Sequence, residues 1–313
     1  TLFPYTTLFR SNKFNFNRTT FSGKRVLITG SGKNSGLGQA LALAALLNGA
    51  RTVGIHFNSS YRDGFEMVDT MREKGFDVFA MQADVTNTRD LWASRGFVKE
   101  QMGGQGPDIL ICNSGLTEAG YRFGRALPEK ENESRRERRA RVRRDFIERL
   151  EESKQVMETK IDGFMYMSHL WAGEAVYHKQ PLTLIYISSM QALDPGPAVP
   201  GYVLANWAVL KLPKILDINL GRENSFVTSF SLMLPFIKTN MTEEYADNPK
   251  VFGRWQPRML ETNEVASSIT DLLDKKREEL HLGIFKLSVE EKKGDIDLNW
   301  LKVDLQATEK KIS

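Results

Sequence analysis

Cysteine is the scarcest reactive residue in this sequence. Cys112 stands alone among 313 residues, so no disulfide can form within the chain, which fits a reducing compartment. Long apolar runs are also missing: the longest candidate, residues 40–47, falls well short of the ~18–20 residues that span a bilayer. The histidines His56, His169, His178 and His281 are scattered without metal-ligand spacing, so each reads as a surface or core residue and no metal site is expected. The net charge of +4 is too small for an overall nucleic-acid signature. What remains is 41% hydrophobic and 26% charged, the balance of one large cytoplasmic α/β domain with ample length to bury a core.

Residues 1–11, TLFPYTTLFRS, read as the in-frame translation of a sequencing adapter and are set aside from the fold. Residues 12–22 form a polar, aromatic lead-in. The informative stretch is 25–47, RVLITGSGKNSGLGQALALAALL. It predicts a buried strand over 26–29, a glycine-rich turn over 30–38 and an apolar helix from Leu37. Such a turn lets the backbone approach a pyrophosphate, and the following helix N-terminus offers free N–H donors and a positive dipole end. The bland alternative is a βα turn whose glycines serve only backbone geometry.

Further apolar strands are expected at 52–56, 77–83, 108–112, 182–188 and 226–234, with a short last strand at 283–289. Helices are expected at 61–74, from Thr86 or Asn87 to about 101, at 202–219 and at 261–280. Alternation of this kind argues for a doubly wound parallel sheet. Residues 129–160 form one long, strongly helical stretch, and 135–144 hold seven arginines and one glutamate. Either this helix meets an anionic partner, or it is a solvated face laced with i,i+4 ion pairs such as Glu137 with Arg141. No aromatic residue interleaves the arginines as a single-strand binder requires, so nucleic acid is not the expected partner. The apolar continuation over 161–177, with Met165, Met167 and Trp171, is core-facing. Residues 290–313 are charged and weakly patterned, a tail on which no structure is forced.

Several short motifs then occur in one order: Thr29-Gly30…Gly36-Leu37-Gly38, Asp84-Val85, Asn113-Ser114-Gly115, Lys160-Ile161-Asp162-Gly163, Ile187-Ser188-Ser189, Tyr202, and Pro235…Ile237…Thr239…Met241. As an ordered set they resemble the short-chain dehydrogenase/reductase family over about residues 22–289. Within it, His56-Phe57-Asn58-Ser59-Ser60 and Gln82-Ala83-Asp84-Val85-Thr86 are most similar to the 3-oxoacyl-ACP-reductase-like group. The resemblance implies a Rossmann-type domain over 12–289 carrying a charged helical insertion at 121–157. It also implies hydride transfer between a nicotinamide cofactor and a carbonyl or alcohol carbon, and a homodimer or homotetramer paired through the tyrosine helix and the long helix before it.

Residue by residue, the resemblance places the pyrophosphate at Gly30, Ser31, Lys33, Ser35, Gly36, Leu37 and Gly38. It places the adenine near Asp84 and Val85, the ribose beside Asn113, Ser114 and Gly115, and a loop over the cofactor at Pro235, Ile237 and Thr239. The glycine loop is two residues longer than the family pattern and carries Lys33. After the second strand, Asn58 and Ser59 stand where an NAD-preferring site has an acid. An uncharged site does not repel a 2′-phosphate, so NADP(H) is expected over NAD(H).

The family's chemistry uses a serine to hold the carbonyl oxygen, a tyrosine to protonate it, and a lysine four residues past the tyrosine on the same helical face. Ser189 and Tyr202 match. Position 206 is asparagine, and Lys211, nine residues on, falls on the opposite face. The family's asparagine on the preceding helix is Lys160 here. Two readings stand: Lys160 and Asn206 have exchanged roles, or the chain binds a dinucleotide without reducing anything. The proline-bearing segment 194–201 is expected to shape the substrate mouth. Cys112, at a strand end, reads as packing.

Overall fold

The computed structural model describes residues 19–118, 120, 127–246, 248–292 and 294–305. The adapter-like residues 1–11, most of the lead-in and the first residues of the 121–157 insertion lie outside them.

Eight strands form one sheet in the order β3-β2-β1-β4-β5-β6-β7-β8. These are β1 (Arg25–Ile28), β2 (Thr52–Phe57), β3 (Val78–Gln82), β4 (Ile109–Cys112), β5 (Leu182–Ser189), β6 (Val227–Leu234), β7 (Ile284–Lys292) and β8 (Asp295–Lys302). The first seven are parallel, and β8 returns antiparallel along β7. Helices α1 (Leu37–Leu47), α2 (Tyr61–Glu73), α3 (Thr88–Gln101), α4 (Arg135–Met157), α5 (Gly163–Tyr177), α6 (Pro200–Val209), α7 (Leu212–Leu220), α8 (Pro249–Phe252), α9 (Thr262–Leu273) and α10 (Arg277–Leu280) complete the described elements.

The central strands are apolar on both faces because both faces are covered. Val26, Ile28, Ile109, Ile111 and Ile185 point to one core with α1 and α9. Leu27, Leu110, Cys112, Leu184 and Tyr186 point to the other, with Met167 and Trp171 of α5. Met165 is exposed, against the sequence expectation, because it lies on the solvent side of α5. At the lower ends of β1 and β4, Arg25 grips Asp108 with two side-chain bonds of 2.6 and 2.9 Å. This ion pair holds the Asp108 carboxyl below the usual carboxylate range, against the opposing effect of its own partial burial.

Five further expectations change. Residues 202–219 are two helices, broken at 210–211, because Pro213 lacks an N–H and starts a new first turn. The stretch 261–280 likewise splits into α9 and α10. The sheet does not end at residue 289. Val289 pairs with Leu298 and Leu287 with Trp300, so part of the charged tail is an edge hairpin. It is exposed along most of one side, which is why its sequence lacks a clean apolar pattern.

The long helix begins at Arg135, not at 129. Ser134 caps it, with Glu137 returning its side chain to the Ser134 N–H. That capping box occupies the Glu137 carboxylate, so the expected Glu137–Arg141 pair is absent. Arg141 instead reaches Glu133 at 2.6 Å. Only Ser153 and Val156 of α4 are buried. Among the described residues, no helix is long and apolar enough to cross a membrane.

Candidate active site

The strand order reverses between β1 and β4, and such a switch point opens a crevice at the carboxyl ends of the strands. The side-chain oxygen of Thr29 accepts from the N–H groups of Asn113 at 2.9 Å and Ser114 at 3.0 Å. Asn113 Nδ2 donates back to the carbonyls of Thr29 and Gly30, both at 3.1 Å. The two loops therefore touch. A Cβ on Gly30, at φ +63°, would lie 2.7 Å from Ser114 Cα. One on Gly38 would lie 2.6 Å from the Gly30 oxygen and 2.7 Å from Ser31 Cα.

Helix α1 begins at this cradle with Gly36 as its N-cap, no side-chain cap and no acid in its first turn. Its first N–H groups are thus left for an anion. Backbone donors and the absence of side chains fit a dinucleotide pyrophosphate. Gly38→Ala is expected to weaken dinucleotide binding at least about tenfold, read by fluorescence titration, because backbone must move to admit the methyl group.

The lengthened loop is tied down. Ser35 adopts φ +57°, and its N–H donates to Gln39 Oε1 at 3.1 Å. The Asn34 N–H reaches Asp63 Oδ2 at 3.3 Å, and Asn240 Nδ2 reaches the Asn34 carbonyl at 2.9 Å. His56 lies beneath the loop, 1% exposed, with Nδ1 accepting from the Gly30 N–H at 3.2 Å. Burial pushes its pKa down to about 4. The unfolded chain therefore binds the proton more readily between about pH 4 and the ordinary 6.5, and stability rises with pH across that window. Replacing His56 by Asn is expected to remove roughly 3 kcal/mol of that pH dependence, checked by comparing denaturant midpoints of both proteins from pH 4 to 7.

One cleft of about 1680 Å³ runs from this cradle across the sheet. Gly30, Lys33, Gly36 and Leu37 line its first end, followed by Asn58, Ser59, Asp84 and Val85. Asn113, Ser114 and Gly115 line its floor, and Lys160, Ser189, Tyr202, Pro235, Ile237 and Thr239 its far half. Four of the residues named from the sequence stand off the wall: Ser31, Ser35, Gly38 and Asn206. Ser31 is fully buried, its hydroxyl donating to the Ile28 carbonyl at 2.7 Å. No carboxylate follows β2 on the cleft wall, since Asp63 turns to Asn34. Asp84 Oδ1 holds its own loop, accepting from the N–H and hydroxyl of Thr86.

The far half holds Lys160 and Tyr202. Between α4 and α5 the chain makes one π-helical turn, Glu158–Asp162. Such a turn inserts a residue and rotates the following face. Lys160 sits in its middle, 6% exposed, with Nζ 5.1 Å from the Phe164 ring centre. A Cβ on Gly115 would stand 3.7 Å from that nitrogen. No acidic partner faces Lys160 among the described residues, and burial lowers its pKa to about 7. Desolvation likewise pushes up the Cys112 thiol, which packs in the core as the sequence suggested.

Tyr202 lies in the first turn of α6. Desolvation raises its phenol above the ordinary value, while Ser189 and Asn206 beside it act the other way. Asn206 is fully buried, and its Nδ2 donates to the Tyr202 carbonyl at 2.8 Å. Its Oδ1 is buried without a hydrogen-bond partner among the described residues. Ser189 ends β5 and accepts from the Gln191 N–H at 3.2 Å. Lys211 is exposed, beyond the end of α6.

At the mouth, the 194–201 segment is latched across the cleft. Arg254 reaches Asp194 at 2.7 Å and lies 3.9 Å over the Trp255 ring, whose Nε1 also donates to Asp194. Phe236 packs on Trp255, and its N–H donates to Gln256 Oε1 at 2.7 Å. Sequence reasoning missed Glu118, which is 3% exposed and bonded to the Tyr202 backbone. A lone glutamate in a loop carries no spacing signal, and the contact exists only once the loops meet. Among the described residues, no group of three His, Cys, Asp or Glu side chains is placed to hold a metal.

A family model described as short chain dehydrogenase matches residues 24–250. A short chain dehydrogenase of Claviceps purpurea (strain 20.1) is 32% identical over 108 residues, 34% of this chain and 39% of that protein. A hydroxynaphthalene reductase-like protein of Metarhizium anisopliae (strain ARSEF 549) is 33% identical over 96 residues, 31% of this chain and 34% of that protein. The chain thus spans well under half the length of these curated relatives. The 7alpha-hydroxysteroid dehydrogenase of Escherichia coli (strain K12) is 24% identical over 74% of this chain and 80% of its own length. Among solved structures, a gluconate 5-dehydrogenase from Burkholderia cenocepacia J2315, in complex with NADP and tartrate, superposes with a TM-score of 0.67 at 19% identity. That superposition covers 87% of this chain and 96% of the other, a likeness of fold.

Proposed function

The chain belongs to the short chain dehydrogenase family, and from that premise we propose that it is an NADP(H)-dependent oxidoreductase reducing a ketone or 3-oxoacyl-type carbonyl. The observation that carries this reading is one cleft with a glycine cradle at one end and Ser189, Tyr202 and Lys160 at the other. The bound dinucleotide would supply hydride. Gly30, Gly36 and the first turn of α1 would hold its pyrophosphate, with Asn113 and Gly115 at the ribose.

Ser189 donates its hydroxyl hydrogen to the substrate oxygen and fixes the carbonyl. Tyr202 delivers a proton to that oxygen as negative charge develops there. A phenol unaided titrates near ~10 and needs a cation to ease proton transfer at neutral pH. Lys160 supplies that cation from the π turn, and Asn206 takes the polar bridging role. The missing acid after β2, together with Lys33 on the wall, supports a preference for NADP(H) over NAD(H). The substrate is a small molecule or an acyl thioester, and the subgroup is the 3-oxoacyl-ACP-reductase-like one.

The test titrates the protein with NADPH and NADH, then follows NADPH oxidation against ketones and 3-oxoacyl thioesters. Tighter NADPH binding with turnover supports the reading. Tight binding without turnover favours a second reading, a non-catalytic dinucleotide-binding module, for which the uncharged Asn206 is the specific observation. Absence of binding to either cofactor defeats both.

A homodimer built on α4, in a cytoplasmic setting that leaves Cys112 reduced, completes the proposal. The helix is segregated by charge. Its first half has seven arginines and one glutamate, and its second half has Asp145, Glu148, Glu151 and Glu152 against Arg149 and Lys154. Exposed Val142, Phe146, Ile147 and Leu150 form an apolar stripe across the middle. Two copies running antiparallel about a two-fold axis bury the stripe and set the arginine half of one against the acidic half of the other. Phe146→Glu is expected to turn a dimer into a monomer at micromolar concentration, read by light scattering after gel filtration.

A further inference from the structure

We infer that Glu118 is a positioning residue that sets the orientation of Tyr202 by spanning two helices. Helix α6 has no local cap: its N-cap residue is Val199, whose side chain accepts nothing, and Pro200 at its start has no N–H to offer. The acceptor comes from 84 residues earlier in the chain. Glu118 Oε1 accepts from the Tyr202 N–H at 2.6 Å, and Oε2 accepts from the Ser153 hydroxyl at 2.7 Å. Both Glu118 and Ser153 are buried. A carboxylate at this end of α6 also meets the positive end of the helix dipole.

Gly201 makes the approach possible. A Cβ there would lie 2.9 Å from Glu118 Oε1 and 2.9 Å from Ser153 Cβ, so any larger residue would push α6 off α4. The carboxylate thus ties three elements at one point: the loop after β4, the last turns of α4 and the first turn of α6. The residue whose N–H it holds is the one whose phenol faces Ser189. Reacting groups need placement within a fraction of an ångström, and a shift of ~1 Å can cost about a hundredfold in rate.

This inference rests on the reading of Tyr202 as proton donor, and it assigns Glu118 a geometric role. Two variants separate geometry from charge. Glu118→Gln keeps the length and both bonds, with Oε1 accepting from Tyr202 and Nε2 donating to Ser153, but loses the charge. Glu118→Asp keeps the charge but is one methylene short of spanning both partners. Each is compared with the wild type for kcat, for NADPH dissociation constant, and for the Tyr202 phenol followed by NMR of ring-labelled tyrosine, assigned with Tyr202→Phe.

Glu118→Asp is expected to lower kcat at least about tenfold with the NADPH dissociation constant within twofold, and to shift the phenol titration towards its ordinary value as water reaches the loosened turn. Glu118→Gln is expected to stay within about twofold of the wild type with an unmoved phenol. The inference is overturned if Glu118→Asp behaves as the wild type, or if Glu118→Gln loses as much as Glu118→Asp. A wild type without turnover on any carbonyl defeats the reductase reading instead. The phenol titrations then still decide whether Glu118 places Tyr202.

Discussion

Lys160→Met is expected to lower kcat by about a hundredfold, a loss of ~2.7 kcal/mol of transition-state stabilisation, while raising the melting temperature. The two effects have one origin. Lys160 is buried, faces no acidic partner among the described residues, and has its pKa lowered to about 7 by desolvation. A lysine held this way costs stability. The unfolded chain protonates at the ordinary 10.5 and the folded chain only near 7, so stability is fully present above 10.5 and declines as pH falls towards 7. At pH 8 the penalty is roughly 3 kcal/mol, and methionine, similar in length and uncharged, removes it.

The gap in melting temperature between variant and wild type should therefore close as pH is raised from 7 towards 10.5. Turnover runs the other way. The cation is present below about pH 7 and lost above it, so kcat of the wild type should fall as pH rises through that value. Lys211→Ala, altering an exposed lysine outside the cleft, should change kcat less than twofold. Steady-state kinetics and calorimetry across pH check all three. A Lys160→Met protein with wild-type kcat would end the exchange proposal and leave the buried lysine without a catalytic reason.

Tyr202→Phe is expected to lower kcat by about a thousandfold or more with the NADPH dissociation constant unchanged. The substitution removes one hydroxyl from a group that lines the cleft beside Ser189 and leaves the backbone bond to Glu118 in place. Desolvation has raised this phenol, so it remains protonated across the working pH range and is ready as a donor. Its difficulty lies in releasing the proton, which is the step a nearby cation eases. If the loss in Tyr202→Phe appeared in cofactor affinity and not in kcat, the residue would be a binding group and the proposed proton donor would have to be sought elsewhere in the cleft.

The sequence by itself determined the sheet and the cradle. Central strands buried on both faces must be apolar throughout, and turn positions such as Gly30 and Gly38, where a side chain would collide with neighbouring backbone, must be glycine, so both leave a local signature. Residues 26–29, 30–38, 108–112 and 182–188 were legible for that reason. Ser189, Tyr202 and Asn113, named from the ordered motifs, line one cleft, since chain order and strand order together fix which loops meet.

Other features were decided only by tertiary structure. Strand β8 is held by its neighbour β7, and an exposed edge strand needs no alternating apolar pattern to pair. The π turn at 158–162 depends on how helices pack around the cleft, and helical periodicity alone does not show it. Lys160 is singled out in the sequence by its place in the motif order, but only packing takes it out of water. Glu118 carries no pattern at all, because a bond between residues 84 positions apart exists only when the fold has brought them together.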